Sequence, residues 1–167
     1  MKESIKINFS DLIYSLDYIQ LDSEPYGYCT HIINVSENYI TGYVQNENTV
    51  KLFDRKTGKF LCKIGDRGNG QGEYTQFNNV YISKDEKNVF LHTYPANKEI
   101  RVYGIDGAYQ SSIPVTYNEK MNVSSFYVDN DAKRVVLAFS SLAEDAESIL
   151  IVQDFEGNVI QSIDVSV

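Results

Sequence analysis

A glycine-rich string, GDRGNGQGEY from Gly65, is the segment whose composition comes closest to a site of chemistry. Its GxxGxGxG spacing is compatible with a phosphate-binding loop, but such a loop follows a strand and opens a helix. The residues that follow here, TQFNNVYIS, have the pattern of another strand. We therefore interpret the glycines as a connection between two structural units that needs positive φ and close backbone approach. In that loop Glu73 is expected to cap free backbone amides and Arg67 to pair with Glu73.

The histidines and cysteines are too few and too scattered to predict a transition-metal or redox site. The chain has only His31, His92, Cys29 and Cys62, with no CxxC and no paired histidine spacing. A zinc site needs three or four nitrogen or sulfur ligands. We expect His92 to be a strand residue with a satisfied ring and expect no disulfide between the cysteines.

Acidic residues suggest calcium only weakly, although Ca²⁺ prefers oxygen ligands. The DND at residues 129–131 fills a polar turn that is SEN and KDEK elsewhere in the chain, so a solvated turn is expected. The cluster Glu144, Asp145 and Glu147 lacks glycine-punctuated ligand spacing, and a solvated loop is again expected. No GxSxG nucleophile motif occurs either. The sequence thus predicts no metal, no cofactor and no catalytic constellation.

Loop aromatics are the more promising candidates for binding. Exposed aromatic rings with adjacent polar groups suit sugars and peptides. His31 joins them because it begins a strand whose equivalents start near Asn78 and Ser124. The candidate ligand-binding residues are Tyr26, Tyr28, His31, Arg67, Glu73, Tyr74, Tyr94 and Tyr117.

The elements that must position these residues repeat three times. The segments KLFDRKTGKFLCKIG, IRVYGIDGAYQSSIP and LIVQDFEGNVIQSID each contain an apolar run, a turn and a second apolar run. Their turn glycines, Gly58, Gly107 and Gly157, are 49 and 50 residues apart. A fixed period of this length is typical of solenoids, propellers and repeat arrays.

Each repeat extends backwards into two further strands, so that one unit contains four antiparallel strands. Four short strands in 40 to 50 residues are typical of a β-propeller blade. We therefore predict one all-β domain over residues 1–167, a partial propeller of three four-stranded blades plus an extra N-terminal strand. The blades are expected at about 31–65, 78–113 and 124–165, and the extra strand at about 15–22.

Composition and charge agree with this class and exclude some functions. Thirteen Tyr and eight Phe with many Val and Ile favour strands. The formal net charge is −8 and the basic residues are scattered, so nucleic acid is an unexpected partner. No stretch approaches a membrane span, and the N-terminus has no apolar core long enough for a signal peptide.

The stretch FDRKTGKFLCKIGDRGNGQGEYTQFNNVYI, residues 53–82, resembles the NHL-like repeat of six-bladed β-propeller proteins of Bacteroides-type bacteria. The lead-in DLIYSLDYIQLDSEPYGYCTHIINV resembles the N-terminal and first inner strands of that family. The resemblance implies a propeller fold and a periplasmic or cell-surface location. The chain departs from the family in having no leader and about three blades fewer.

Two functions are predicted from these observations. The first is a non-enzymatic scaffold of the bacterial envelope that binds a sugar, a peptide or an envelope protein. The alternative is a calcium-assisted hydrolase or lyase of the lactonase-like propeller kind, with Glu73, Asn78 and Asn122 as the calcium ligands.

The repeat also predicts assembly. Three blades leave the outward faces of the first and third uncovered, and neither end shows the polar cap that terminal repeats usually need. We therefore expect either a homodimer, in which two half-rings form a six-bladed pseudo-ring, or further C-terminal blades.

Overall fold

A computed structural model describes residues 8, 10, 12–13, 15–23, 27–93, 98–116, 121–141 and 148–164, with the backbone alone at 121–122, 140–141 and 148. These residues form 14 β-strands and no α-helix. Twelve of the strands form three four-stranded antiparallel sheets, which we call blades 1, 2 and 3. The expected all-β, bladed class is confirmed.

Each blade is a simple meander in which consecutive strands pair. Blade 1 contains β1 (His31–Val35), β2 (Tyr39–Val44), β3 (Thr49–Asp54) and β4 (Phe60–Ile64). A short parallel pair, β5 (Asp66–Arg67) and β6 (Glu73–Tyr74), lies in the connection to blade 2. Blade 2 contains β7 (Phe77–Ile82), β8 (Asn88–Thr93), β9 (Glu99–Gly104) and β10 (Tyr109–Pro114). Blade 3 contains β11 (Met121–Asp129), β12 (Arg134–Ser141), β13 (Ser148–Asp154) and β14 (Val159–Asp164).

The three repeated glycines sit in the turns between the third and fourth strands. Gly58, Gly107 and Gly157 have φ of +72°, +82° and +89°. A side chain is strained in this left-handed region, so glycine is required. The repeat recognised in the sequence therefore marks one turn geometry used three times.

The first strands of the blades lie side by side, as in a propeller whose inner strands surround an axis. β7 contacts both β1 and β11. The side-chain amide of Asn79 donates to the carbonyl of Ser124 at 3.2 Å, which links β7 to β11. The sheets are therefore arranged radially, with β1, β7 and β11 innermost.

The core lies between the sheets. We call the face of a blade that is turned toward the next blade along the chain its downstream face, and the opposite face its upstream face. One cluster joins the downstream face of blade 1 to the upstream face of blade 2, through residues such as Val50, Leu52 and Leu91. A second joins blade 2 to blade 3 through residues such as Ile100, Leu137 and Phe139. Strands that are buried on both faces lose the alternation of apolar and polar residues.

Equivalent positions show what each interface needs. Val50, Leu52 and Ile64 on the downstream face of blade 1 are each 0% exposed. Their counterparts in blade 2, Ile100, Val102 and Ile113, are 0%, 8% and 3% exposed. In blade 3 the counterparts Leu150 and Val152 are half-buried, and Ile163 is 42% exposed. We call this surface the far face of blade 3; no described residue covers it as a blade covers the other two.

The opposite end of the stack is covered, which corrects the expectation of two bare ends. Phe53 and Lys51, on the upstream face of blade 1, are 0% and 3% exposed. The ammonium of Lys51 donates to the carbonyl of Tyr28 at 2.8 Å. Cys29 lies so close to Gly42 that an added Cβ would be 2.9 Å from its Sγ. Residues ahead of β1 thus pack on this face and cap it. This cap was not predicted from the sequence.

The predicted N-terminal strand at residues 15–22 is wrong, because the structure forms no strand there. The backbone N–H of Asp22 donates to the carbonyl of Gly58 at 2.9 Å, and its carboxylate accepts from the N–H of Phe60 at 2.9 Å. These contacts tie the segment to one turn of blade 1 instead of pairing it along a strand. Its apolar residues have the spacing that is typical of a strand, but the segment does not form a ladder of backbone hydrogen bonds with any described strand.

His92 lies in β8, at the interface between blades 2 and 3. It is 6% exposed, and its ring is 6.3 Å from that of Phe126. Among the residues that the structure describes, its Nδ1 has no hydrogen-bond partner, so the expectation of a satisfied ring is wrong for this nitrogen. Burial lowers the pKa of His92 to about 4. The imidazole is therefore neutral in the folded protein at neutral pH.

Val50→Ala and Val152→Ala make the same deletion at a covered and an uncovered face. Val50→Ala should lower the free energy of unfolding by about 2 kcal/mol, because buried methyl groups and packing are lost. Val152→Ala should cost about half as much or less, since Val152 still contacts water. Urea denaturation at concentrations at which light scattering gives a monomer measures both. Equal losses in the monomer would contradict this ranking.

His92 should make stability depend on pH between about 6.5 and 4. Its folded pKa is depressed, so the unfolded state takes up the proton first and stability falls as pH falls through this window. The loss should reach about 3 kcal/mol near pH 4. His92→Leu should flatten the curve in urea titrations, and His31→Leu is the control at the exposed histidine. A curve that His92→Leu leaves unchanged would contradict this assignment.

Candidate functional site

The crossover loop, residues 65–76, connects blades 1 and 2 and is fastened to both. The side-chain amide of Asn48, in the β2–β3 loop, donates to the carbonyl of Thr75. The hydroxyl of Tyr103, in β9, donates to the carbonyl of Gly72 at 3.0 Å. The crossover loop and the β2–β3 loop therefore share one rim of the molecule, which we call the crossover rim.

Tyr74 is a core residue and not an exposed ligand-binding aromatic, which corrects its prediction. It is 1% exposed. Its hydroxyl accepts from the N–H of Val50 and donates to the carbonyl of Ile64, both at 3.0 Å. Burial raises its pKa well above the ordinary range for tyrosine. The hydroxyl of Tyr74 therefore bridges the backbone of β3 and β4 at the end of blade 1, between the N–H of Val50 and the carbonyl of Ile64.

Glu73 caps the loop as expected. Its Oε2 accepts from the N–H of Gly70 at 2.8 Å, and its own N–H donates to the carbonyl of Gly70 at 3.1 Å. An added Cβ at Gly68 would lie 2.0 Å from the same carboxylate oxygen. No ion pair joins the described side chains of Arg67 and Glu73. Arg67 is exposed on β5, and its predicted partner is occupied by the backbone.

The glycines of the loop have structural roles. Gly65 and Gly72 have φ of +61° and +77°. An added Cβ at Gly65 would meet the ring of Tyr103 at 2.6 Å, and one at Gly72 would meet Tyr109 at 2.5 Å. The strand β7 follows the loop, so no helix N-terminus is present to receive a phosphate.

Aromatic rings run from solvent to core along the crossover rim. His31 is exposed and stacks on Tyr43, with ring centroids 5.2 Å apart. Tyr43 meets Phe77 edge-on at 5.5 Å, and Phe77 meets Tyr74 edge-on at 5.9 Å. Such offset and edge contacts are the favourable geometries for aromatic pairs. The rings hold the exposed imidazole of His31 against a rigid support.

Lys51 fixes the chain beside this row of rings. Its ammonium donates to the carbonyl of Tyr28 and lies 3.6 Å from a carboxylate oxygen of Glu47. Tyr28 itself is 54% exposed. A lysine inside the apolar run TVKLF was the available signal for this role, and sequence reasoning missed it. The structure thus places Tyr28 and His31, three residues apart along the chain, at the edge of the capped blade.

Strand register corrects the expected equivalents of His31. His31 pairs with Tyr43, which pairs with Val50. The positions that pair through to the counterparts of Val50 in the other blades are Asn79 and Ser125. Asn78 and Ser124 are instead the extra residues of β-bulges, one position away. A shift of one residue exchanges the two faces of a strand.

The remaining predicted site residues are only partly placed. Asn78 is exposed at its bulge. The side chain of Asn122 lies outside the described part of the structure, as do Tyr26, Tyr94, Tyr117 and the acidic cluster at 144–147. Among the residues that the structure describes, no three His, Cys, Asp or Glu side chains group closely enough to hold a metal ion.

Both cysteines are free thiols. Burial raises the pKa of Cys62 to about 11, with a further contribution from the nearby carboxylate of Asp106. Burial also raises the pKa of Cys29, although Lys51 partly opposes it. Neither thiol has the lowered pKa of a reactive cysteine.

Two solved structures have a similar fold. One is the crystal structure of a Bacteroides fragilis protein expected to be exported, with a TM-score of 0.64 and 16% identity. The other is the hydrazine synthase of Kuenenia stuttgartiensis, with a TM-score of 0.52 and 14% identity. The matches cover 88% and 77% of this chain, which spans 41% and 34% of the lengths of those chains. Identities this low show similarity of fold alone.

Within the described residues, no helix has the length and apolarity to span a bilayer. Among curated proteins, no sequence matches the chain. One family model, that of a domain of unknown function, matches residues 1–165, almost the whole sequence. The chain therefore belongs to the family of domains of unknown function designated DUF4934.

Proposed function

We propose that this chain is a non-enzymatic binding scaffold, built of β-propeller blades of the NHL-like six-bladed type, that acts in the bacterial envelope. The observation that carries the binding role is the exposed aromatic edge of the crossover rim. Tyr28 and His31 present rings to solvent; Tyr43 stacks on the ring of His31, and Lys51 holds the backbone carbonyl of Tyr28. A ring or backbone that is fixed before the ligand arrives loses little conformational entropy on binding.

The envelope location is supported by the expected export of the Bacteroides fragilis protein of similar fold. The propeller assignment is supported by three blades with adjacent inner strands. Sugars and peptides are the proposed ligand classes, because both combine apolar faces with hydrogen-bonding groups that suit an aromatic edge.

Replacing the exposed rings tests the binding role. Tyr28→Ala and His31→Ala should each weaken binding of ligands found on glycan and peptide arrays by about tenfold, because stacking area is lost. Tyr18→Ala is the control, since Tyr18 is 90% exposed and its removal should not disturb the fold. Titration calorimetry with the strongest array ligand gives the affinities. Arrays without any bound ligand, or variants that bind like the unchanged protein, would contradict the proposal.

We also propose that the chain forms a homodimer. Because the upstream face of blade 1 is covered, this dimer differs from the six-bladed pseudo-ring expected from the sequence. A six-bladed pseudo-ring of two copies needs two junctions, each joining a far face of blade 3 to an upstream face of blade 1. The upstream face of blade 1 is occupied by residues such as Tyr28 and Cys29. We therefore propose a dimer in which the far faces of two copies pack against each other around one two-fold axis.

A charge placed on the far face should separate the copies. The unchanged protein should exceed the monomer mass of 19.0 kDa in light scattering, because an apolar sheet face is unfavourable in water. Val152→Asp should give a monomer. Val159→Asp, at a residue of the same blade that is 48% exposed and lies on its other face, should leave the mass unchanged. A monomer at all concentrations for the unchanged chain would overturn the proposed dimer.

A further inference from the structure

The junction between blades 2 and 3 opens into a cavity of about 460 Å³ on the rim opposite the crossover rim. The β7–β8, β11–β12 and β13–β14 turns lie on this side, which we call the hairpin rim. The floor of the cavity is apolar and formed by Phe90, Val102 and Ile113, which are 1%, 8% and 3% exposed. A polar ligand that also has an apolar face would therefore rest against the outer surface of the packed core between the blades.

One wall of the cavity is a chain of three side-chain amides. The amide of Asn88 donates to Oε1 of Gln110 at 2.9 Å, and the amide of Asn130 donates to Oδ1 of Asn88 at 3.3 Å. This chain fixes the orientation of all three groups across the junction. Among the described residues, the amide nitrogen of Gln110 and the amide oxygen of Asn130 have no further partner. A donor and an acceptor are thus held ready at the two ends of the chain.

The lining of the cavity also carries charge of both signs. The ammonium of Lys133 lies over the ring of Phe155, 5.1 Å from its centroid. The carboxylates of Asp85 and Asp131 also line the cavity, and Asp85 is 3.7 Å from the ammonium of Lys87. Two carboxylates at the edge disfavour an anionic ligand, while carboxylates readily accept hydrogen bonds from hydroxyl groups.

The repeat shows that the fold does not require these amides. Gln110 is the extra residue of a β-bulge in β10. The same bulge recurs in β4 and β14, where the extra residues are Leu61 and Ile160, 46% and 51% exposed. Asn88 begins the second strand of its blade, where the other blades have Tyr39 and Arg134. Blade 2 alone has amides at both positions, and both of these amides line the cavity that blade 2 shares with blade 3.

The junction of blades 1 and 2 has a different arrangement on this rim. The backbone N–H and the side-chain amide of Asn38 donate to the two carboxylate oxygens of Glu86, at 2.8 and 2.7 Å. That carboxylate bridges the two turns directly. In blade 3 the corresponding turn has Ala132 before its last residue, and no such bridge spans the cavity among the described residues.

We propose that this cavity binds a neutral saccharide. The fixed amides and the carboxylates match the donors and acceptors of sugar hydroxyls, and the apolar floor suits the C–H face of a pyranose ring. The inference rests on the proposed binding role and names its ligand class, but it places the sugar on the hairpin rim and not beside His31.

The test uses the whole chain and three neutral probes, cellohexaose, maltohexaose and mannohexaose, in saturation-transfer NMR and calorimetry. At least one probe should bind. Gln110→Leu, which installs the residue of blade 1, should weaken that binding about tenfold, the effect of losing one hydrogen bond. Asn130→Ala should act similarly. Ile160→Leu is the matched control at the equivalent bulge of blade 3 and should bind like the unchanged protein.

Circular dichroism melts establish that each variant is folded before its affinity is compared. Failure of all three probes to bind at millimolar concentration would overturn the inference. Binding that survives Gln110→Leu and Asn130→Ala but is lost in His31→Ala would also overturn it, because the sugar would then occupy the crossover rim. That second outcome leaves the proposed scaffold role intact, so the two proposals fail separately.

Discussion

Contact between the apolar faces of neighbouring sheets is the interaction on which the rest of this structure depends. A single four-stranded meander exposes both faces of its sheet to water, and it becomes stable when neighbouring sheets cover its apolar faces. Val50 and Leu52 meet the next blade at one interface, and Ile100 and Val102 do so at the other. The turns, the bulges and the crossover loop all align these rows of apolar side chains on neighbouring sheets. The candidate site residues that the structure describes therefore lie on the rims, where strands end.

The sequence was sufficient to predict this framework because it repeats. The turn glycines Gly58, Gly107 and Gly157 fix the same backbone geometry three times, and the apolar columns follow at nearly constant spacing. The segment at 15–22 misled for a physical reason. Apolar residues in an extended segment look alike whether they pair in a ladder or, like the stretch ending at Asp22, rest on one turn.

The candidate site was less predictable, since it depends on which face each side chain takes. Tyr74 lies in a glycine-rich loop, yet its hydroxyl completes backbone hydrogen bonds inside the core. The sequence predicts Tyr28 as a loop aromatic and His31 at the start of a strand, but their contacts with Lys51 and Tyr43 come from neighbouring strands. Asn88 and Gln110 are 22 residues apart and meet only because β8 and β10 flank β9. The pairing register of the strands decides which side chains come into contact. A β-bulge changes that register without a clear signal in the sequence.

The two ends of the stack of blades are covered to different extents, so local stability differs from blade to blade. Among the described residues of a single copy, blade 2 is held by an interface on each side, blade 1 by one interface and a cap that includes Tyr28, and blade 3 by one interface alone. In a repeat protein the free energy of opening one unit is roughly its own stability plus that of the interfaces it breaks. Opening therefore begins at the outer strands of blade 3, with β14, exposed along its whole length, first. In a single copy, blade 3 is therefore the described sheet whose backbone amides exchange most readily with solvent.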